Sequence, residues 1–98
     1  MSAAAIAMTE DDLKTFFSRG IEENMDALYG TALRLTRLGA DAEDLVAEAV
    51  SKAWAAIGTL EDRQKFRPWI FRILHNCFIS KYRRDVARPA GTAIDEND

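Results

Sequence analysis

The sequence predicts an all-α domain, a compact bundle of about four helices, and three observations carry that reading. Apolar residues recur with a period near 3.6 between Thr9 and Asp85. The alternation that marks strands is almost absent over the same span. Capping residues and glycines interrupt the pattern about once per helix length. At 98 residues the chain fits one small domain. Its 48% apolar and 30% charged content belongs to a globular chain, not a disordered one.

A first short helix fits residues 9–19. Thr9 can cap it, Asp12 stands three residues on, and Gly20 ends it, with Leu13, Phe16 and Phe17 as its apolar edge. A second fits residues 21–38, with Ile21, Met25, Leu28, Tyr29, Ala32, Leu35 and Thr36 on one face and Gly39 as its stop. Gly30 lies inside it at a cost of roughly 1 kcal/mol against alanine, which suggests close helix packing there.

The third helix starts at Asp41 as cap and closes at Gly58. Its buried stripe is Ala42, Leu45, Val46, Ala49, Val50, Ala53 and Ile57. The opposite face presents Asp44, Ala47, Glu48 and Ser51, with Glu43 and Trp54 at the margins. Residues 58–67 read as a polar loop with one aromatic, Phe66. Pro68 suits the first position of a fourth helix, where its missing N–H is not needed. Trp69, Ile70, Ile73, Leu74, Cys77 and the stem of Lys81 form its core stripe. Arg72, His75, Asn76, Ile79, Tyr82 and Arg83 form the other face. The domain is therefore expected over residues 9–88, with a mobile tail at 1–8 and an acidic linker or tail at 89–98.

Charge is segregated along the chain. Residues 63–88 hold eight basic side chains against the single acid Asp85, a net of +7. Residues 1–62 carry net −7, and the last ten add −3. The overall −3 thus conceals two opposite surfaces, which implies two partners. The basic stretch interleaves Phe66, Trp69, Phe71, Phe78 and Tyr82, side chains able to stack on exposed bases. Its basic residues are mostly arginine, which forks onto phosphate and stacks on bases. Phe66, alone in a polar loop, reads as a platform or wedge; the alternative is that it tucks inward and anchors the loop. Trp69 opens the apolar stripe and is assigned to the core.

Catalysis has little support. Glu43, Asp44 and Glu48 near a helix start serve as cap and dipole partners more readily than as a carboxylate site. His75 has no nucleophile placed by spacing, and no glycine-rich phosphate loop exists. One histidine and one cysteine argue against a metal centre, and no cofactor is implied. The lone Cys77 excludes an internal disulfide and fits a reducing compartment. No apolar run approaches the ~20 residues of a membrane span, and the start lacks the basic residues of a secretory signal. A cytoplasmic protein without membrane insertion is expected.

Two segments combine these signals: DAEDLVAEAVSKAW at 41–54 and KFRPWIFRILHNCFISKYRR at 65–84. The run from 28 to 84 that contains them closely resembles region 2 of the bacterial RNA polymerase sigma factors of the sigma-70 class, nearest the small extracytoplasmic-function group. DAEDLV followed by E, then KAW, a loop, and F-R-x-W-I-F-x-I-L-x-N is specific in combination. The resemblance implies a helix docking on a coiled coil of the core RNA polymerase largest subunit through Asp44, Ala47, Glu48 and Ser51. The family often has glutamine where this chain has Ala47, so one hydrogen bond is missing there.

It also implies that the loop and last helix melt and read the promoter element nearest the start site. Arg63, Lys65, Phe66 and Arg67 match loop positions that capture a base flipped from the non-template strand. Asn76 matches an asparagine lining the base pocket. Arg72, Lys81, Arg83 and Arg84 would hold backbone phosphates. The implied partners are core RNA polymerase, promoter DNA and an anti-sigma factor. A second, DNA-reading domain (region 4) would follow residue 98 in a whole factor of this group. The competing expectation is a sigma-like decoy that occupies an anti-sigma factor and needs no DNA face. An unrelated helix-turn-helix repressor would need a short recognition helix after a tight turn, and none is visible.

Overall fold

A computed structural model of the protein describes residues 9–87; the expected tail at 1–8, the acidic segment at 89–98 and Arg88 lie outside them. Among the described residues the chain forms three α-helices and no strand: α1 (Glu10–Thr36), α2 (Gly39–Ala55) and α3 (Phe66–Ala87). Two short 3-10 turns, Ile57–Thr59 and Arg63–Lys65, join α2 to α3.

The all-α expectation stands, but three helices replace the expected four. The first two predicted helices are one 27-residue helix. Gly20 does not stop it, because a single glycine costs only about 1 kcal/mol in a helix that packs well on both sides of it. Its start is as expected. Thr9 Oγ1 accepts from the Asp12 N–H at 3.0 Å, and the Asp12 carboxylate accepts from the Thr9 N–H, a reciprocal capping box.

The end of α1 differs from expectation too. Arg37, not Gly39, takes the left-handed conformation (φ 70°), and its N–H donates to Leu33 O at 2.7 Å. Gly39 instead opens α2, whose cap residue Leu38 offers no side-chain acceptor. Asp41 therefore does not cap. It lies inside the first turn, where a carboxylate still favours the helix N-terminus. The helix ends at Ala55, before Gly58, and none of the described glycines has positive φ.

The three helices bury one core. Leu28, Leu45, Ile70 and Leu74 are its largest fully buried side chains. Ala32, Ala42, Ala49 and Ala53 are buried where the helices approach, and small side chains allow short interaxial distances there. The predicted stripe of α2 is borne out, with Ala42, Leu45, Val46, Ala49 and Ala53 buried and Val50 and Ile57 half-buried. In α3, Ile70, Leu74 and Cys77 are buried, while Trp69 and Ile73 are half-buried. Lys81 departs from its predicted place, since it is exposed. Every residue from 79 to 85 is exposed, so the last two turns of that stretch project beyond the bundle.

The close packing expected at Gly30 is found at Gly20 instead, and neither glycine ends the helix. Gly30 has only Arg34 Nη1 near its missing Cβ, at 3.9 Å, so no neighbour requires a glycine there. Gly20 is buried against the ring of Phe66. No helix among the described residues is long and apolar enough to cross a membrane.

Candidate nucleic-acid interface

Two surfaces emerge, one from each of the charge patterns. On α2, Asp44, Ala47 and Ser51 are exposed and Glu48 is half-buried. Their spacing of three, four and seven places them on one face. Glu48 and Lys52 approach at 3.9 Å in an i,i+4 pair, which leaves Asp44 as the freer acid. The four residues expected to meet the polymerase thus form one contiguous patch.

The basic residues divide into two groups. Lys81, Arg83 and Arg84 lie on the projecting end of α3, with Tyr82 stacked on Phe78 at 6.4 Å between centroids. A helix exposed on all sides gains little from burial, and four basic or aromatic groups presented that way suit a phosphate backbone. The other group surrounds the turn before α3. Asp62 accepts from the Gln64 N–H at 2.9 Å and shapes that turn, leaving Arg63 and Lys65 exposed. Arg63 lies 5.9 Å over the ring of Phe16, and Arg67 lies 4.9 Å over that of Phe71.

Phe66 takes the inward-anchoring alternative and not that of a ring displayed as a platform or wedge. It is the first residue of α3 and only 5% exposed. Its ring meets Phe16 edge-on at 5.5 Å, Phe17 at 6.0 Å and Trp69 at 5.5 Å. The hydrophobic gain from burying a whole phenyl ring, with three aromatic contacts, outweighs any preference for the surface. Pro68 correspondingly falls in the third position of α3, not the first. Trp69, assigned to the core, is half-buried against it, and its indole N–H donates to Thr59 Oγ1 at 3.2 Å.

A cleft of about 340 Å³ opens between α1 and this turn. Arg19, Asn24, Arg63, Gln64, Phe66 and Arg67 line it, together with Glu23. Its size is at the low end for a small-ligand site, roughly 300–1,000 Å³. Three guanidinium groups against one carboxylate make it a donor-rich recess.

Of the lining residues, the sequence points to Arg63, Phe66 and Arg67, whereas Arg19, Gln64 and Asn24 join the site only through the fold. Asn24 left a readable signal: it interrupts the buried stripe of Ile21 and Leu28 with a polar side chain. It is 8% exposed, donates from Nδ2 to Gly20 O at 2.8 Å, and accepts on Oδ1 from Arg67 Nη1 at 2.5 Å.

Asn76 is not part of the cleft. It is exposed ten residues into α3 from Phe66, about 15 Å along the axis at 1.5 Å per residue. Arg72 and His75 are exposed near it, and His75 Nδ1 donates to Phe71 O at 2.9 Å. Asn76 is thus absent from the cleft that Arg63 and Arg67 line. Cys77 is buried, and burial first, then Glu48, pushes its thiol up, so it stays protonated. Among the described residues no group of three His, Cys, Asp or Glu side chains is placed to hold a metal ion.

Comparison with known families gives a match that spans both surfaces. The model of Sigma-70 region 2 covers residues 21–88, which includes all of α2, the turns and α3.

Proposed function

The chain belongs to the sigma-70 region 2 family, whose domains bind core RNA polymerase and act in promoter recognition and opening, and from that premise we propose its specific role. It is the promoter-recognition and promoter-melting domain of an extracytoplasmic-function-type sigma factor. The face of Asp44, Ala47, Glu48 and Ser51 docks on the coiled coil of the polymerase largest subunit. The projecting end of α3, with Lys81, Arg83 and Arg84, holds duplex phosphates beside Arg72. Arg63, Lys65 and Arg67 at the cleft engage the unpaired non-template strand, and Asn76 contacts a base farther along α3. An anti-sigma factor that covers one of these faces is the natural regulator.

The observation that carries the reading is the separation of charge onto two helices of one bundle. The acidic patch of α2 suits a basic protein partner, and the arginine-rich α3 suits DNA. A single-partner module needs only one such face. The reading is tested by adding a parent factor that contains this domain to core polymerase and a promoter template. Opening of the duplex supports it, and polymerase binding without opening counts against it.

A second reading has its own support. Phe66 is committed to the core, and Ala47 lacks the amide common in the family, so two features of an active factor are weakened. Both suit a decoy that keeps the scaffold to occupy an anti-sigma factor. The retained Arg63, Lys65, Arg67 and Asn76 favour the promoter factor.

A further inference from the structure

Asn24 is the only buried polar side chain among the described residues, and neither of the two faces accounts for it. We infer that Asn24 is a positioning residue: it holds the Arg67 guanidinium in place at the cleft, so that its remaining donors meet an acceptor on the DNA strand. The inference rests on the promoter-binding reading above and deepens it.

The geometry is built from consecutive contacts. Gly20 and Asn24 are one helical turn apart on α1, and Phe66 and Arg67 are neighbours at the start of α3. The Phe66 ring presses on Gly20, where a side chain would collide with it. That contact brings the next residue, Arg67, level with Asn24. The Asn24 amide has no freedom of orientation, because Nδ2 must face the Gly20 carbonyl as its donor. Oδ1 is thereby turned to Arg67, from which it accepts. The face of the guanidinium rests on the Phe71 ring at 4.9 Å.

Arg67 is therefore held at one edge and one face while its side chain stays exposed. One of its five N–H donors is used, and among the described residues the other four have no protein partner. Arginine normally surrenders considerable rotamer freedom on binding, and a guanidinium fixed beforehand surrenders less. An apolar residue at 24 would serve the core as well, so burying an amide there is explained by the group it orients.

The test is a double-mutant cycle on the chain assembled with core RNA polymerase, read as affinity for a fluorescent fork DNA with a single-stranded non-template arm. Asn24→Ala should weaken binding roughly three- to tenfold, the cost of ordering one arginine at binding. In an Arg67→Ala background the same change should have no further effect. Equal losses in both backgrounds, or none in either, would overturn the inference and assign Asn24 to the fold alone. Phe71→Leu, which removes the ring under the guanidinium but keeps apolar volume, serves if Asn24→Ala does not fold. It should show the same dependence on Arg67, and a loss independent of Arg67 would count against the proposal. NMR on the chain alone separates this inference from the DNA reading. Arg67 should give resolved, slowly exchanging Nη–H signals that average in Asn24→Ala; averaged signals in both would refute the holding contact even if DNA binding persists. If the assembled wild type fails to bind the fork better than polymerase alone, the promoter reading falls, while the NMR result still decides whether Asn24 holds Arg67.

Discussion

Gly20 and Phe66 share a contact that no other residue at position 20 could keep. A Cβ on Gly20 would lie 2.6 Å from Phe66 Cε2 and 2.8 Å from Cζ, inside the van der Waals limit. The ring fills that gap from the start of α3, and Phe16, Phe17 and Trp69 surround it. This contact fixes how α1 meets the turn that carries Arg63 and Lys65. It therefore links the hydrophobic core to the candidate DNA surface.

Gly20→Ala and Gly30→Ala should move stability in opposite directions. At Gly20 the overlap with a buried ring should cost up to about 3 kcal/mol, against the roughly 1 kcal/mol gained in helix propensity. At Gly30, with open space around the new methyl, the propensity gain should stand alone, up to about 1 kcal/mol. Urea denaturation of both variants checks this. Equal shifts would mean the Phe66 ring yields freely.

Leu74 and Arg83 test the inside and outside of α3. Leu74 is fully buried, so Leu74→Ala should destabilise by roughly 2–5 kcal/mol, a large part of the total for so small a domain. Arg83→Ala, on the projecting end, should leave the melting temperature nearly unchanged. Thermal unfolding followed by circular dichroism compares the two.

Most of the fold was legible because burial in α2 and α3 follows the 3.6-residue period closely. Leu45, Ala49, Ile70 and Leu74 all fall on the stripes read from the sequence. The break expected at Gly20 was not there, because local propensity cannot register a ring arriving from residue 66. For the same reason the sequence leaves the inward packing of Phe66 as the second of two readings. A lone aromatic among polar neighbours looks exposed until the glycine that receives it is known. Asn24 interrupts an apolar stripe visibly, but its role is not legible because it depends on Arg67, 43 residues away. The α2 patch needed no such partner, and its four residues fall on one face as spacing alone requires.

Charge reversal at Asp44 and Glu48 together should weaken binding to core RNA polymerase and leave helicity intact. Asp44 is exposed, and Glu48 is half-buried beside Lys52, so the reversal disturbs little of the core. Removing charged groups from such interfaces typically costs about 2–5 kcal/mol. A pull-down with purified polymerase measures it. Ala47→Gln should strengthen the same interface.

Arg83→Ala and Arg84→Ala should each reduce the salt dependence of DNA binding. Each phosphate that is no longer neutralised lowers the slope of log K against log salt by about 0.9 on duplex DNA. The weakening should be similar across sequences, because phosphates carry no sequence information. Titrations at several salt concentrations on two unrelated duplexes separate this from base readout.

The central claim, that one bundle carries both a polymerase face and a strand-opening face, is tested most directly by permanganate footprinting of unpaired thymines. The template is a promoter, with core polymerase and a parent factor containing this domain. Wild type should expose reactive thymines near the start site. The Arg63→Ala/Arg67→Ala double variant should lose that reactivity while still binding polymerase, because those arginines lie at the cleft and not on α2. Polymerase binding by the wild type with no reactive thymines at any promoter tried would contradict the account and leave the decoy reading in its place.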